Sequence, residues 1–301
     1  MVRRIAKHLV RKGMFVESLE CPNAEFSGRR FLVQSDETVR AILATSAAYA
    51  LVNPQKSTVD IDLATDTAPP ARAAEERKHT LETVAQSARS LRNSFDTVRS
   101  GELEIGALSP VADEISARID AAPDVFLKVT RLKTKDEGTY VHSLTVGALM
   151  MRLARLLGHG DDAVRELGVA GLLHDVGKLM IPNTVLNKSG RLDSDEKRLI
   201  RGHPELGYRL LKEQGNVSDL VLDICRYHHE MLDGSGYPLG LKADKLSPEI
   251  RIATICDVFE ALTSTRPYKR PWTTREALNW MFDRGHMFDK KLVIRLGSIF
   301  A

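Results

Sequence analysis

From residue 105 to the carboxy terminus, apolar residues recur at the three- and four-residue spacing of helices, and no alternating run of any length interrupts them. Seven segments carry this pattern: 111–122, 140–158, 162–175, 194–213, 217–229, 248–263 and 274–298. The pattern predicts an all-α bundle over 105–301. Two connecting loops, IPNTVLNKSGRLD and MLDGSGYPLGLKADKLSP, are longer than plain helix connections need, which favours a functional role for them.

The residues before this region have a different pattern. Short β-like runs at 14–20, 30–34 and 48–52 surround one helical segment that opens at Ser35-Asp36, which indicates a small α+β module over 1–62. We expect this module to have a regulatory or dimerising role. The stretch LATDTAPPARAA is rich in alanine and proline and is typical of a linker. The predicted fold is therefore mainly α, with a small α+β domain at 1–62, a linker and amphipathic helix at 63–104, and a helical domain at 105–301.

The helix predicted for 72–100 carries its apolar residues in a heptad-like seam. The spacings alternate between three and four along Leu81, Val84, Ala88, Leu91, Phe95 and Val98. Two interpretations remain open. The helix either forms a homodimer through this seam or lies with the seam against its own domain, and fewer than three or four full heptads favour the second.

Composition excludes several classes of protein. The chain has 43 Lys and Arg against 40 Asp and Glu, a net charge of +3, which argues against a DNA-coating surface. No stretch approaches the roughly 18 apolar residues that predict a membrane span. The three cysteines, Cys21, Cys225 and Cys256, are scattered without CxxC spacing, which argues against disulfides and a thiolate zinc site. A cytoplasmic location is expected.

Histidines concentrate in one part of the predicted bundle. Of the nine in the chain, five lie between 142 and 229: His142, His174, His203, His228 and His229. Each lies in or beside a predicted helix, so a bundle can direct them to one place, as helical metalloproteins do.

The segment VAGLLHDVGKLMIP ends an apolar helical run with His174 and Asp175. A buried carboxylate without a partner costs several kcal/mol, so a metal ion is one explanation of this pair. A buried His–Asp hydrogen bond is the other. Lys178 follows four residues after His174, on the same face if the helix continues through Gly177.

The adjacent histidines of VSDLVLDICRYHH differ in direction if the helix runs through both. His228 shares the apolar stripe, and His229 is turned by about 100° from it. We therefore expect His228 to point into the bundle and His229 to face the mouth of the site. Pro204 suits a first helical turn and places His203 at a helix start. Asp257 lies in the helical segment RIATICDVFEAL, where a solvated side chain is the alternative to a ligand.

Five histidines and two aspartates without a cysteine favour iron, manganese or a similar divalent ion. Seven candidate ligands exceed the four to six that one ion usually takes, so we infer two ions bridged by Asp175. Two such ions polarise a phosphoryl group and supply a hydroxide at neutral pH, which indicates metal-assisted phosphoester hydrolysis.

Five blocks in this order resemble the HD-GYP domains, a branch of the HD metal-dependent phosphohydrolases. The resemblance covers roughly residues 125 to 300. Its blocks are YVHS around His142, HDVGK, HPELGYRLL, HHEMLDGSGYPLGL and RIATICDVFEALTSTRPYK.

The resemblance implies a helical bundle that hydrolyses cyclic di-GMP to linear pGpG, to GMP or to both, with an iron or manganese centre. The implied metal ligands are His142, His174, Asp175, His203, His228, His229 and Asp257. It also implies catalytic roles for Asp175 and for Lys178, near the scissile phosphate. The implied substrate-binding residues are Gly236, Tyr237 and Pro238, with Gly234 in the same loop, and the phosphate-holding cations Arg266 and Lys269.

Three departures from the family pattern affect these expectations. Three-metal members have a carboxylate four residues before the first histidine, and Gly138 stands there, which counts against a third ion unless Glu137 substitutes. Glu260 stands where aspartate is common. The chain stops at Ala301, where many relatives continue, so a truncated carboxy terminus is left open. The segment before the bundle resembles a small module of unknown function found ahead of some HD-GYP domains.

Two alternatives to cyclic di-GMP hydrolysis remain. One is a phosphodiesterase that prefers cyclic GMP-AMP, since base preference depends on a few hydrogen bonds. The other is a receptor that binds a cyclic dinucleotide without turnover. Because all seven ligand positions are filled, an enzyme is favoured over the receptor.

Overall fold

In a computed structural model, the chain divides into two compact units, Met1–Glu76 and Arg77–Ala301. The structure describes residues 2–19, 30–45, 47, 49–59, 70–99, 105–131, 138–186, 188, 190–265 and 270–300. No helix in these ranges is both long enough and apolar enough to cross a bilayer.

The first unit is an antiparallel sheet with one helix. Its strands are β1 (Arg3–Ala6), β2 (Phe15–Leu19), β3 (Phe31–Leu32) and β4 (Tyr49–Val52), in the order β1-β4-β2-β3. The register pairs Ile5 with Ala50 and Val16 with Val52. These four side chains belong to the core of the unit, so the predicted α+β class is confirmed.

Helix α1 (Asp36–Leu43) begins where the sequence predicts. Ser35 caps it, because its hydroxyl accepts a hydrogen bond from the backbone N–H of Thr38. Ile42 is buried on the side of the helix that joins the core. Strand β1 was not predicted, since RRIA has no alternating apolar run.

The seam of helix α2 (Pro70–Arg99) packs inside the second unit. Five of its six apolar positions belong to that unit's core: Val84, Ala88, Leu91, Phe95 and Val98. The ring of Phe95 meets Tyr140 edge to face, with centroids 5.6 Å apart. Leu81, the sixth position, is 41% exposed. Packing within one chain therefore accounts for the apolar spacing, and a dimer through this helix stays a prediction.

The rest of the second unit is helical, as predicted. Its helices are α3 (Leu108–Ala121), α4 (Pro123–Thr130), α5 (Gly138–Leu156), α6 (Asp161–Leu173), α7 (Asn183–Leu186), α8 (Ser194–Arg201), α9 (His203–Glu213), α10 (Asp219–Tyr227), α11 (Pro248–Thr263), α12 (Thr274–Asp283) and α13 (Lys290–Gly297). Helices α5 and α6 form the most extensive contact. They approach closely because a Cβ on Gly171 would meet the backbone of Gly147.

Two predicted helices are each divided in the structure. The segment 194–213 breaks at Gly202 into α8 and α9, and 274–298 breaks into α12 and α13. Asp289 caps the start of α13 by accepting from the backbone of Lys291 and Leu292. Apolar periodicity continues across both breaks, so it does not reveal them. Helix α4, which Pro123 opens, was also not predicted.

A 3-10 helix (Val176–Met180) follows α6 and lies against α9 without side chains between them. A Cβ on Gly177 would meet the carbonyl oxygen of His203 and the backbone of Gly207. The backbone after Asp175 is thereby held directly against the start of α9.

Candidate metal centre

Five elements bring the seven predicted ligands together. His142 lies in α5, His174 and Asp175 follow α6, His203 begins α9, His228 and His229 follow α10, and Asp257 lies in α11. Six are buried, and the side chain of His229 is 20% exposed. The bundle therefore forms one enclosed group of imidazoles and carboxylates.

Asp175 lies between two sets of imidazoles. Its Oδ2 is 3.3 Å from Nε2 of His142 and 3.4 Å from Nε2 of His174. Its Oδ1 is 3.0 Å from Nε2 of His203 and 3.8 Å from Nε2 of His228. Each oxygen of one carboxylate thus faces a different set, an arrangement that suits a bridge between two ions.

The donor atoms form two groups that could each hold an ion. One contains His142, His174 and Asp175, and the other contains Asp175, His203, His228 and His229. Asp257 faces both, because its Oδ1 is 3.2 Å from Nε2 of His142 and its Oδ2 is 3.5 Å from Nδ1 of His229.

His228 and His229 belong to the same group, which the sequence did not predict. Helix α10 ends at Tyr227, and His228 is its capping residue, so the helical angle between the pair does not apply. The predicted difference in exposure is nevertheless present, since His228 is fully buried and His229 is not.

Hydrogen bonds fix which nitrogen each buried imidazole presents to Asp175. The Nδ1 of His174 lies 2.8 Å from the Gly171 carbonyl oxygen, that of His203 2.8 Å from Ile200 and that of His228 3.0 Å from Cys225. A carbonyl oxygen only accepts, so each Nδ1 carries a proton, and Nε2 is the nitrogen that each ring, when neutral, presents with its lone pair. Neutral imidazoles held this way are ready to bind a metal ion.

One further observation supports binding of divalent ions at this site. Oδ1 of Asp175 is buried and has no hydrogen-bond partner among the described residues. A buried carboxylate oxygen surrounded by nitrogen lone pairs requires a positive charge. Nitrogen and oxygen donors without thiolate suit iron, manganese or a similar ion, although they do not select one of them.

The pKa values agree with a site built for cations. Burial opposes ionisation of Asp175, but the Lys178 ammonium holds the pKa of its carboxyl well below the usual range. Burial lowers the pKa of His229 to about 3. Burial and the neighbouring histidines lower the pKa of His228 well below its ordinary value. Both rings are therefore neutral and able to act as ligands.

His142 has a different environment. Burial lowers its pKa, but the Glu260 carboxylate, 2.5 Å from Nδ1, together with contacts to Asp175 and Asp257, raises the pKa to about 10. Glu260 is itself buried and also accepts from the Ser264 hydroxyl. It orients His142 from outside the ligand group, a role that the sequence did not reveal.

Lys178 lies at the edge of the centre. Its Nζ donates to Oδ2 of Asp175 at 2.5 Å, and its side chain is 27% exposed. The helix does not continue to it, since α6 ends at Leu173 and Lys178 lies in the 3-10 helix. An ammonium at this position faces both the carboxylate and the solvent.

The glycine-rich loop covers one side of the centre through Tyr237. Its ring stacks on His229 with centroids 4.6 Å apart and planes at 28°. Gly236 lies close to the backbone of Glu230, where a Cβ would meet the chain, and Tyr237 is joined to Pro238 by a cis peptide bond. Gly234 adopts a positive φ of 81°. The predicted Arg266 and Lys269 lie outside the described residues.

Glu230 holds the carboxy-terminal part of this loop, a role that the sequence did not predict. Its buried carboxylate accepts backbone hydrogen bonds from Leu239 at 2.7 Å, Gly240 at 3.1 Å and Leu241 at 2.9 Å. Its position directly after His228 and His229 was the sequence feature that could have identified it. One carboxylate therefore ties the loop to the segment that carries two candidate ligands.

Comparisons with known families match both parts of the chain. The HD domain family matches residues 119–292, and a domain of unknown function (DUF3391) matches residues 2–131. The second match extends beyond the predicted 1–62 module and overlaps the first.

The chain is also similar to proteins of known activity. It is 38% identical over 315 residues to the cyclic di-GMP phosphodiesterase PA4108 of Pseudomonas aeruginosa, covering 97% of this chain and 75% of that protein. It is 39% identical to the cyclic di-GMP phosphodiesterase response regulator RpfG of Xanthomonas campestris, covering 54% and 43%. It is 36% identical to 3'3'-cGAMP-specific phosphodiesterase 2 of Vibrio cholerae, covering 56% and 33%. The chain thus spans less than half of the last two relatives.

The fold has a counterpart among solved structures. Bd1817, an HDG"Y"P protein from Bdellovibrio bacteriovorus, superposes with a TM-score of 0.55 over 100% of this chain and 99% of that one. At 16% identity this likeness shows the fold alone. The HD domain match and the similarity to PA4108 along nearly the whole chain support one assignment. The chain belongs to the HD domain family, in the HD-GYP branch that contains the cyclic-dinucleotide phosphodiesterases.

Proposed function

We propose that this protein is a metal-dependent phosphodiesterase that hydrolyses cyclic di-GMP to linear pGpG, to GMP or to both. The observation that carries the proposal is the position of Asp175, whose two oxygens face two separate sets of imidazole nitrogens. A carboxylate in that position suits a bridge between two ions, and paired ions are suited to phosphoryl transfer.

The ligands divide between the two ions as the donor groups do. His142 and His174 would hold one ion, and His203, His228 and His229 the other, with Asp175 bridging and Asp257 available to both. When bound, iron or manganese ions polarise the phosphoryl group and lower the pKa of water. No third ion is proposed, because Gly138 stands where three-metal members of the family have a carboxylate.

Residues at the rim bind and orient the substrate in this proposal. Lys178 holds a proton at Nζ, beside Asp175, where it can pass to the leaving oxygen. Tyr237 forms a wall of the site through its stack on His229, and Gly236 and Pro238 set the position of that wall. Arg266 and Lys269 are proposed to hold substrate phosphates, a task suited to a guanidinium fork and an ammonium.

The test is turnover of cyclic di-GMP by protein purified anaerobically and loaded with iron(II) or manganese(II). Asp175→Ala is the inactive control, and chromatography separates pGpG from GMP. Hydrolysis that the substitution abolishes supports the proposal. A metal-loaded protein that binds cyclic di-GMP without hydrolysing it would be the non-catalytic receptor instead.

Cyclic GMP-AMP is a second candidate substrate because of a specific similarity. The cGAMP-specific relative is 36% identical to this chain, close to the 38% and 39% of the cyclic di-GMP phosphodiesterases. The ratio of kcat/KM for the two nucleotides, measured on the same preparation, decides between them.

We further propose a division of labour along the chain. Residues 1–62 are regulatory, 63–104 form a linker and an amphipathic helix, and 105–301 carry catalysis. Deletion of 1–62 is expected to change the rate of cyclic di-GMP turnover. The amount of bound metal should stay the same. Loss of bound metal on this deletion would contradict the division.

A further inference from the structure

Arg201, the last residue of α8, reaches the glycine-rich loop. Its guanidinium carbon lies 4.4 Å from the centroid of the Tyr237 ring, and that ring stacks on His229. Two successive contacts thus connect an exposed cation to a candidate metal ligand. Stacking on an aromatic face orients the planar guanidinium and leaves its edge donors available.

The charge of Arg201 is not neutralised by any carboxylate in the part of the chain that the structure describes. Two other arginines of the second unit are paired with a carboxylate. Arg198, on the same helix, pairs with Asp195 at 2.9 Å. Arg226 also lies over a tyrosine, Tyr208, but it pairs with Glu205 at 2.8 Å. Arg201 therefore combines the aromatic contact of Arg226 with a positive charge that is free to bind an anion.

We propose that Arg201 binds the phosphate of the cyclic dinucleotide that is not being cleaved. This inference rests on the proposed function. A cyclic dinucleotide has two anionic phosphodiesters, and the centre around Asp175 can take only the one that reacts. The other phosphate loses water when it approaches the Tyr237 wall, so it requires a cation with directed donors. Arg201, at the end of α8, supplies that cation. It acts in addition to the phosphate contacts proposed for Arg266 and Lys269.

The first experiment compares Arg201→Gln with wild type and with the control Arg198→Gln, using two substrates. Cyclic di-GMP has two phosphates, and bis(p-nitrophenyl) phosphate has one. For Arg201→Gln we expect KM for cyclic di-GMP to rise about tenfold to a hundredfold, the loss of a charged hydrogen-bonded contact. We expect kcat, bound metal and KM for the single-phosphate substrate to stay close to wild type, and Arg201→Lys to fall between. An equal rise for both substrates would place Arg201 at the reacting phosphate and overturn the proposal.

A second experiment separates phosphate binding from a role in holding Tyr237. Arg201→Gln is measured alone and in a Tyr237→Leu background, as a double-mutant cycle. A guanidinium that contacts phosphate still affects KM for cyclic di-GMP after the ring is removed. If the effect disappears in the Tyr237→Leu background, Arg201 only positions the ring, and the proposal is wrong.

Binding measurements keep this inference distinguishable from the proposed function. Affinity for a fluorescent cyclic di-GMP is measured by anisotropy on the same metal-loaded proteins. If wild type binds without turnover, the proposed hydrolysis fails, and a weaker affinity of Arg201→Gln still supports the phosphate contact. If wild type turns over cyclic di-GMP and Arg201→Gln has an unchanged KM, only the Arg201 proposal fails. If wild type neither binds nor hydrolyses, both fail.

Discussion

Oδ1 of Asp175 lies 3.0 Å from Nε2 of His203, yet it accepts no hydrogen bond from any described residue. His203 uses its proton at Nδ1, which donates to the Ile200 carbonyl. When the His203 ring is neutral, two lone pairs therefore face each other in a buried site, which is unfavourable until a cation lies between them. The protein holds this geometry with backbone contacts and is ready for the ion.

Asp175→Asn keeps the shape of the side chain and removes its charge. Both ligand groups lose their shared carboxylate, so we expect bound metal to fall for both ions. We expect turnover to drop by at least about a hundredfold, since substitution of an outer partner alone typically costs 10–100-fold. Elemental analysis and cyclic di-GMP turnover check this. Asp162→Asn, an exposed aspartate on α6, is the matched control, and metal content equal to that control would contradict the bridging role.

Glu260→Gln weakens the orientation of His142 without replacing a proposed ligand. Gln keeps an acceptor for the Nδ1 proton of His142, but it lacks the charge that strengthens the contact. We expect about tenfold weaker manganese binding in the His142 group, the lower end of such effects. Calorimetric titration should show one weakened site and one near its wild-type affinity.

The control for Glu260 is Glu205→Gln, which breaks a surface pair with Arg226. It should leave both affinities unchanged. Equal weakening of both sites in Glu260→Gln would show a general loss of structure rather than an effect through His142.

Glu230→Gln tests the attachment of the glycine-rich loop. The amide has one acceptor oxygen, and its NH2 would face backbone donors of Leu239, Gly240 and Leu241. We expect a loss of about 2–3 kcal/mol in the free energy of unfolding, the scale for hydrogen bonds to a charged group. Urea unfolding measures this loss, and hydrogen exchange should show faster exchange of the three amides.

The exposed Glu213→Gln serves as the control for Glu230. Bound metal should be unchanged in both variants, because Glu230 is not a ligand. Unchanged protection of the loop amides in Glu230→Gln would show that another contact holds the loop.

Phe95→Ala tests whether the α2 seam packs within one chain. The side chain is 1% exposed, so we expect a loss of about 3–5 kcal/mol in unfolding free energy. Leu81→Ala, at the 41% exposed position, should change stability by less than about 0.5 kcal/mol. The loss should not vary with protein concentration. A concentration-dependent loss would assign the seam to a homodimer instead.

The elements that the sequence predicted best have local signals at their ends. Ser35 and Pro204 each mark a helix start in a few adjacent residues, and helix α11 keeps the predicted bounds 248–263. Helical spacing continues through 194–213 and did not show the break at Gly202, although Pro204 marks the start of the helix that follows it. Strand β1 is defined by pairing with β4, more than 40 residues away, and not by its own sequence.

The candidate ligands were predictable because histidines in a helical context are uncommon and were concentrated. Glu230, Glu260 and Arg201 were not, since their partners are set by tertiary structure. Glu260 meets His142 across 118 residues, and Arg201 meets a ring 36 positions later. A buried carboxylate beside a histidine pair is a signal that could have identified Glu230, but nothing local distinguishes Arg201 from Arg198.

The contact between Gly177 and Gly207 determines how the centre can respond to its ions. With no side chain between the two backbones, the segment after Asp175 and the start of α9 cannot slide past each other without a clash. Release of an ion would therefore leave Asp175 and His203 nearly where they were, and their electrostatic repulsion would not relax by sliding of these two segments. These two ligands are therefore held as in a rigid chelator and would need little reorganisation when an ion binds.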